Sequence, residues 1–161
     1  MKKIILIPML YALCSMLFMG CSGPKPRFMA VGDEAPDFSI LDLDGNEISL
    51  ESLLNGKEII LNFWASWCPS CREEIPRLNE FAEKYKDKIE IVGINLEEPK
   101  ETVQSFVRAS GIKYKILLDS KGKTGNLYMV RAIPTNILIN KDGLIKKLNI
   151  DIREIENYLK Q

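Results

Sequence analysis

A nearly continuous apolar run, followed closely by two cysteines, constrains the fold of this chain more than any other feature. Residues 58–64 read EIILNFW, which is typical of a strand whose two faces are both covered. Cys68 and Cys71 follow, and Pro69 stands between them, where proline suits the first position of a helix. The sequence therefore predicts a buried strand, a short loop, and a helix that begins at the cysteines.

Strand-like and helix-like patterns alternate along the rest of the 161-residue chain. Apolar runs and turn signals predict further strands at residues 37–43, 46–50, 89–96, 116–119, 135–139 and 144–148. Amphipathic spacing and end signals predict helices at residues 69–86, 100–109, 124–130 and 152–160. This alternation indicates an α/β fold with a mixed sheet flanked by helices on both faces. The turn dipeptide Asp44-Gly45 also predicts an N-terminal β-hairpin.

The absence of histidine limits the chemistry that the chain can perform. No Ser-His or Cys-His nucleophile pair can form, and no zinc or copper site can have an imidazole ligand. The 22 basic side chains equal the 22 acidic ones, and no basic stripe is visible. Nucleic acid is therefore not an expected partner.

The first twenty residues are typical of an export signal. Lys2 and Lys3 precede an apolar run at residues 4–19. The run is shorter than the roughly 18 to 20 residues of a membrane-spanning helix. It ends in Gly20-Cys21, which resembles a bacterial lipoprotein signal, where the cysteine is lipid-modified and becomes the new N-terminus. The sequence thus predicts lipidation of Cys21.

Three segments follow from this boundary. We expect a signal peptide at residues 1–20, a flexible tether with lipidated Cys21 at residues 21–31, and one domain at residues 32–161. The expected location is the bacterial cell envelope, outside the cytoplasm and anchored to a membrane by the lipid. An uncleaved N-terminal anchor and plain secretion are the alternatives, and both also place the domain outside the cytoplasm.

Cys68 and Cys71 have the spacing of a redox pair. Two cysteines three positions apart at the start of a helix lie on one face, so their sulfurs can close a disulfide. At the N-cap, Cys68 meets free N–H groups and the positive end of the helix dipole, which lower the pKa of a thiol below its usual value of about 8.5. Cys68 is therefore the predicted attacking sulfur, and Cys71 the resolving one.

Two structural interpretations of the cysteine pair compete with the redox one. A Cys-x-x-Cys motif supplies only two of four zinc ligands, and this chain has neither a histidine nor a second such pair. An inert disulfide would close a very short loop, which constrains the unfolded chain little. We expect no metal, and no cofactor besides the redox-active disulfide itself.

Several segments, taken in order, resemble the thioredoxin superfamily, and within it the membrane-tethered ResA and TlpA-like thiol-disulfide oxidoreductases. They cover about residues 31–161 and comprise VGDEAPDF at 31–38, NFWASWCPSC at 62–71, EIP at 74–76, IPT at 133–135 and LINKDG at 138–143. The resemblance implies a thioredoxin-like fold with an N-terminal β-hairpin and a central strand–helix insertion.

The resemblance also implies where a substrate binds. Ile133-Pro134 is expected to be a cis peptide that faces the disulfide, although on sequence alone Pro134 fits a trans proline opening an edge strand equally well. Trp67, Pro69 and Ser70, beside the attacking cysteine, complete the expected substrate-binding set. Trp64 is expected in the core.

A third candidate catalytic residue is Glu74. Thioredoxins carry a buried aspartate and a lysine that manage the proton of the resolving thiol, and here these positions are Asn62 and Gly93. In the ResA-like branch, a glutamate three residues after the second cysteine is the candidate substitute. Glu74 lies about 60° from Cys71 around the helix axis, on the same face. The alternative is a solvated acid favoured early in a helix by the dipole.

The implied activity is the reduction of disulfides in client proteins, with apocytochrome c as the family's best-known example. A membrane thiol-transfer protein would supply the electrons. A disulfide-forming oxidase or isomerase would use the same residues, and a non-catalytic lipoprotein adaptor is the alternative of another class. A peroxiredoxin is disfavoured, because Ala65 and Leu61 stand where its peroxide site needs a hydroxyl residue and a proline.

Overall fold

A computed structural model of the protein describes residues 29–159. The predicted signal peptide, Cys21 and most of the tether lie outside these residues. The elements in chain order are β1 Ser39–Asp42, β2 Glu47–Ser49, α1 Leu50–Leu53, β3 Glu58–Trp64, α2 Pro69–Lys84, β4 Ile89–Leu96, α3 Lys100–Ser110, β5 Lys115–Asp119, α4 Lys123–Leu127, β6 Thr135–Ile139, β7 Ile145–Lys147 and α5 Ile152–Leu159.

The strands form one seven-stranded mixed sheet in the order β2-β1-β5-β4-β3-β6-β7. Strands β3, β4 and β5 are parallel neighbours, joined by the crossover helices α2 and α3. The hairpin β1–β2 is antiparallel and pairs with β5, and β6 and β7 run antiparallel on the other side of β3. The predicted mixed sheet and N-terminal hairpin are confirmed.

Each face of the sheet carries its own apolar core, and alternate residues of β3 supply both. Ile60 and Trp64 pack with α2, α3 and α5 on one face. Ile59, Leu61 and Phe63 pack with α1 and the end of α4 on the other. Because both faces are covered, five of the seven side chains of β3 are apolar, as the sequence indicates.

One predicted boundary is wrong in an informative way. Residues 46–50 were expected to form a single strand, but β2 ends at Ser49 and Leu50 begins the one-turn helix α1. Ser49 caps this helix: its side chain accepts from the Ser52 backbone N–H, while the Ser52 hydroxyl accepts from the Ser49 N–H. This reciprocal capping favours helix over continued strand, and it buries Leu50 and Leu53.

Helix α3 ends where the sequence indicates. Gly111 follows its last residue with φ 62° and ψ 39°, a left-handed conformation that suits glycine at a helix C-terminus. The turn lets the chain reverse into β5. Within helix α2, by contrast, Pro76 lies inside the element without ending it.

Candidate active site

Helix α2 begins at the cysteines, as predicted. Cys68 is its N-cap residue with extended backbone angles, and Pro69 occupies the first helical turn. The Cys71 backbone N–H donates to the Cys68 sulfur at 3.2 Å. Cys68 and Cys71 are joined in a disulfide, with Cα atoms 5.3 Å apart. The Cys68 sulfur therefore lies at the positive end of a sixteen-residue helix.

The Ile133-Pro134 peptide lies directly across from this sulfur. It is cis, as the resemblance implies. The Cys68 sulfur is 3.8 Å from the carbonyl oxygen of Ile133. Sheet geometry explains the contact: β3 and β6 are antiparallel neighbours, and Phe63 near the end of β3 is opposite Thr135 at the start of β6. The loops that leave β3 and enter β6 therefore meet at one edge.

Exposed side chains surround a disulfide that is itself nearly covered. Cys68 and Cys71 are each 3% exposed, whereas Trp67 is 65% exposed. Pro69 and Ser70 are also exposed, and the Ser70 hydroxyl lies 3.5 Å from the Cys68 sulfur. Only a small part of the disulfide faces solvent, so these neighbours border the approach of any incoming sulfur.

The two tryptophans occupy different environments. Trp64 is 2% exposed and packs against the ring of Phe106 at 5.5 Å between centroids, so its expected core position is confirmed. Trp67, three residues later, projects into solvent beside Cys68. An exposed indole at this place offers apolar contact area to a partner.

Glu74 lies one helical turn beyond Cys71 and is half-buried. It lines a cavity of about 490 Å³ that also includes Pro134, Asn136, Asp151 and Arg131. Burial is the largest influence on the carboxyl and raises the pKa of Glu74. The hydrogen bond from Asn136 acts in the opposite direction, and the negative charge of Asp151 adds to the rise. A raised pKa suits a carboxyl that exchanges protons near neutral pH.

Gly93 shows why the lysine of thioredoxins has no counterpart here. A Cβ atom at this position would lie 2.6 Å from Cδ1 of Ile116 and 3.0 Å from Nε1 of Trp64. Trp64 and its neighbours on that face fill the space beneath α2. A side chain at Gly93 would require these buried neighbours to shift, which disfavours a lysine at this position.

Comparison with known proteins identifies the family. Residues 31–148 match the AhpC/TSA family. The chain belongs to the AhpC/TSA family. A relative from Bacillus thuringiensis (strain Al Hakam), named thiol-disulfide oxidoreductase ResA, is 37% identical over 164 residues, covering 99% of this chain and 94% of its own.

Solved structures agree with this assignment. A thiol:disulfide interchange protein DsbE from Chlorobium tepidum has a TM-score of 0.76 at 30% identity and covers 83% of this chain and 97% of its own. A secreted disulfide oxidoreductase from Mycobacterium tuberculosis has a TM-score of 0.66 at 26% identity and covers 76% of this chain and 94% of its own. This AhpC/TSA protein is a thioredoxin-like thiol-disulfide oxidoreductase of the ResA type.

Sequence reasoning missed a buried polar cluster behind the cysteines of this AhpC/TSA protein. Glu98 is 8% exposed and accepts from the Ser66 backbone N–H at 2.6 Å and the Ser66 hydroxyl at 2.5 Å. The Asn95 side-chain amide also donates to Glu98, at 2.7 Å. Arg72 in α2 donates to the Ser66 carbonyl at 2.6 Å. These bonds hold the loop that precedes Cys68.

One sequence signal could have revealed this cluster. Strands β3 and β4 are parallel, and Trp64 at the end of β3 is opposite Asn95 near the end of β4. The residues that follow both strands therefore meet at the same edge. A serine just before the cysteines and an acid just after β4 are candidates for contact on this ground, but spacing does not show whether Glu97 or Glu98 turns inward.

A second missed pair is Asn62 with Asn136. Both side chains are buried, and the Asn62 amide donates to Oδ1 of Asn136 at 2.7 Å. Asn136 in turn donates to Glu74 at 3.3 Å. The sequence marks Asn62 only as a non-titrating replacement for the aspartate of thioredoxins, and its partner on β6 is specified by the strand register.

Among residues 29–159, no cluster of acidic, cysteine or histidine side chains is arranged to hold a metal ion. Over the same residues, no helix combines the length and apolar character needed to cross a membrane.

Proposed function

We propose that this chain reduces disulfides in client proteins outside the cytoplasm, held to a membrane by a lipid on Cys21. The observation that carries the proposal is the Cys68–Cys71 disulfide at the N-terminus of α2, opposite the Ile133-Pro134 peptide. The absence of a histidine between the cysteines favours reduction over oxidation, because oxidases of this superfamily often carry one there.

In the first step the Cys68 thiolate attacks one sulfur of a client disulfide. A Cys68–client disulfide forms, the client S–S bond breaks, and the other client sulfur leaves as a thiolate. The Cys71 N–H points at the Cys68 sulfur and, with the helix dipole, stabilises the attacking thiolate.

In the second step Cys71 loses its proton to the Glu74 carboxylate and attacks the Cys68 sulfur. The Cys68–Cys71 disulfide forms, and the second client sulfur leaves as a thiolate and takes up a proton. The chain is oxidised by two electrons and the client is reduced by two. Glu74 suits this role because its half-buried carboxyl lies one turn from Cys71 on the same helix.

The client is bound by the groups that border the disulfide. We assign Trp67, Pro69 and Ser70 to one side and Ile133 and Pro134 to the other. A client segment in extended conformation can pair with backbone groups around the cis-proline. The exposed Trp67 ring supplies apolar contact beside the reacting sulfurs.

The partners follow from location and chemistry. The secreted relative from Mycobacterium tuberculosis and the lipoprotein-like sequence around Cys21 support a position outside the cytoplasm. There the Cys68–Cys71 disulfide must be reduced again by a membrane protein that carries electrons outward through thiol–disulfide exchange. Apocytochrome c before haem attachment is the client that the ResA resemblance favours.

Covalent trapping tests this function. In a Cys71→Ser variant expressed in its native envelope, Cys68 still attacks, but no resolving thiol releases the client. We expect this variant to accumulate disulfide-linked complexes that contain apocytochrome c and a membrane thiol-transfer protein, identified by mass spectrometry. The control is a Cys68→Ser, Cys71→Ser double variant, which should trap neither.

Other trapping results would change the assignment. Capture of many unrelated exported proteins without apocytochrome c would contradict the maturation role in favour of general disulfide editing. Equal capture by the double variant would contradict attack by Cys68.

Membrane anchoring is tested by a Cys21→Ser variant. We expect this variant to be released from the membrane fraction, and its retention there would contradict anchoring by a lipid.

A further inference from the structure

Two buried asparagines connect the centre of the sheet to Glu74. Asn62 on β3 and Asn136 on β6 are 2% and 3% exposed and are directly opposite each other in the antiparallel pair. Asn62 donates to Oδ1 of Asn136 at 2.7 Å, and Nδ2 of Asn136 donates to Oε2 of Glu74 at 3.3 Å. The three side chains form one chain of hydrogen bonds from β3 through β6 to α2.

Because Asn62 donates to Asn136, these bonds run in one direction, from Asn62 through Asn136 to Glu74. An asparagine side chain has an oxygen that only accepts and a nitrogen that only donates. Because Oδ1 of Asn136 faces the Asn62 amide, Nδ2 of Asn136 must face the other way, toward Glu74. In this arrangement Glu74 faces an N–H donor. That donor pairs well with an ionised carboxylate oxygen but cannot accept the O–H of a protonated carboxyl, so it favours the ionised form.

We propose that Asn136, oriented by Asn62, is a positioning residue that favours the carboxylate form of Glu74 and so sets the pH range in which Cys71 resolves mixed disulfides. The inference rests on the proton-accepting role of Glu74 proposed above. Neither asparagine touches a client or a reacting sulfur in this account, and both act through the carboxyl.

The other groups near Glu74 show why such a donor matters. Burial and the negative charge of Asp151 both disfavour the carboxylate and raise the pKa of Glu74. Asp151 itself remains ionised, because its bonds to Arg153 lower the pKa of Asp151 to about 2. Tyr114 stays neutral, since burial raises its pKa. Arg131 lines the same cavity and is exposed. Burial and Asp151 both raise the pKa of Glu74, and the hydrogen bond from Asn136 opposes them by favouring the carboxylate.

The experiment follows the resolving step in the purified mature dithiol chain, residues 21–161 with Cys21 lipidated, so that Cys68 and Cys71 supply the free thiols. An aromatic disulfide reagent that releases a coloured thiolate reacts first with Cys68, forming a mixed disulfide and releasing one thiolate. Cys71 then attacks Cys68 and releases the second thiolate. The rate of the second release is measured across pH and gives a midpoint for each variant.

Replacement of the donor should move this midpoint. In Asn136→Leu, Glu74 loses the bond that stabilises its charge, so we expect the midpoint to rise by about one pH unit, at the lower end of the effect of a bond to a charged group. Asn62→Leu frees Asn136 to rotate and should raise the midpoint by less. Asn136→Val, whose β-branched side chain suits a strand, repeats the test if Asn136→Leu does not fold.

A second set of variants separates positioning from a general effect on folding. In a Glu74→Gln background no carboxyl titrates at this position. If Asn136 acts through Glu74, adding Asn136→Leu should then leave the remaining pH profile unchanged, whereas a general structural effect of Asn136 would still alter it. If Asn136→Leu and Asn136→Val leave the midpoint unmoved while Glu74→Gln removes it, the positioning role is wrong and the role of Glu74 stands. If Glu74→Gln itself leaves the profile unchanged, the proton-accepting role of Glu74 fails, and this inference with it.

Discussion

The Glu74 carboxyl experiences opposed influences that its position in the sequence does not reveal. Helical spacing from Cys71 correctly placed it in the inward-facing part of α2, half-buried beside the site. The partner that opposes the effect of burial, Asn136, is 62 residues away along the chain. Such a contact depends on the register between β3 and β6, which the sequence pattern does not specify.

The pH dependence of stability should report the environment of Glu74. Because the pKa of Glu74 is raised in the folded chain, the folded state binds more protons than the unfolded state between the ordinary value of 4.5 and the folded value. The free energy of unfolding therefore falls as pH rises through that window. We expect the Glu74→Gln variant to lack this fall, so its stability relative to the natural chain increases from low to neutral pH.

Urea denaturation of both chains, at a series of pH values between about 4 and 8, measures this difference. A difference that is constant with pH would contradict a raised pKa for Glu74. A difference that changes in the opposite sense would mean that the folded state favours the carboxylate.

The element that positions Cys68 is the loop between β3 and α2. Glu98, which follows β4, fixes this loop by accepting hydrogen bonds from both the backbone N–H and the hydroxyl of Ser66. Arg72 fixes the same loop from α2 through the Ser66 carbonyl. The loop before Cys68 is therefore bonded to two neighbouring elements.

Removal of the Glu98 carboxylate should destabilise the fold. In Glu98→Ala, the Ser66 N–H, the Ser66 hydroxyl and the Asn95 amide lose a common buried acceptor. We expect the free energy of unfolding to fall by about 2–4 kcal/mol. The matched control is Glu101→Ala, which removes an exposed glutamate in the first turn of α3 and should cost a few tenths of a kcal/mol. A Glu98→Ala loss no larger than that of the control, in urea denaturation, would contradict the role of this cluster.

The long elements and most of the short strands were predictable, and the one-turn helix α1 was not. Strands β3 and β4 and helices α2 and α3 carry enough apolar repeats to be located within two residues of their observed ends. The one-turn helix α1 depends on the Ser49–Ser52 cap, and residues 46–50 alternate well enough to suggest a strand through Leu50. The Ser49–Ser52 cap therefore outweighs the alternating apolar pattern, and Leu50 begins a helix instead of continuing the strand.

At the scale of the whole molecule, the site lies where β3 ends and β6 begins. The parallel strands bring the loop of Ser66 and the loop of Glu98 to one edge of the sheet, and the antiparallel pairing with β6 brings Pro134 to the same edge. The alternation of strand-like and helix-like patterns predicted the α/β fold, and the resemblance implied the cis peptide. The polar contacts behind the site escaped prediction, because most of them join residues more than thirty positions apart. Asn95 with Glu98 and Arg72 with Ser66 are the exceptions.

The central claim is that the Cys68 sulfur, in the dithiol form, opens the disulfides of other proteins. The most direct measurement is the rate at which the purified reduced chain cleaves a protein disulfide, compared among the natural chain, Cys68→Ser and Cys71→Ser. We predict full reduction by the natural chain, a stable mixed disulfide with Cys71→Ser, and no cleavage with Cys68→Ser. Cleavage that persists in Cys68→Ser, or a natural dithiol chain that leaves the protein disulfide intact, would contradict the account.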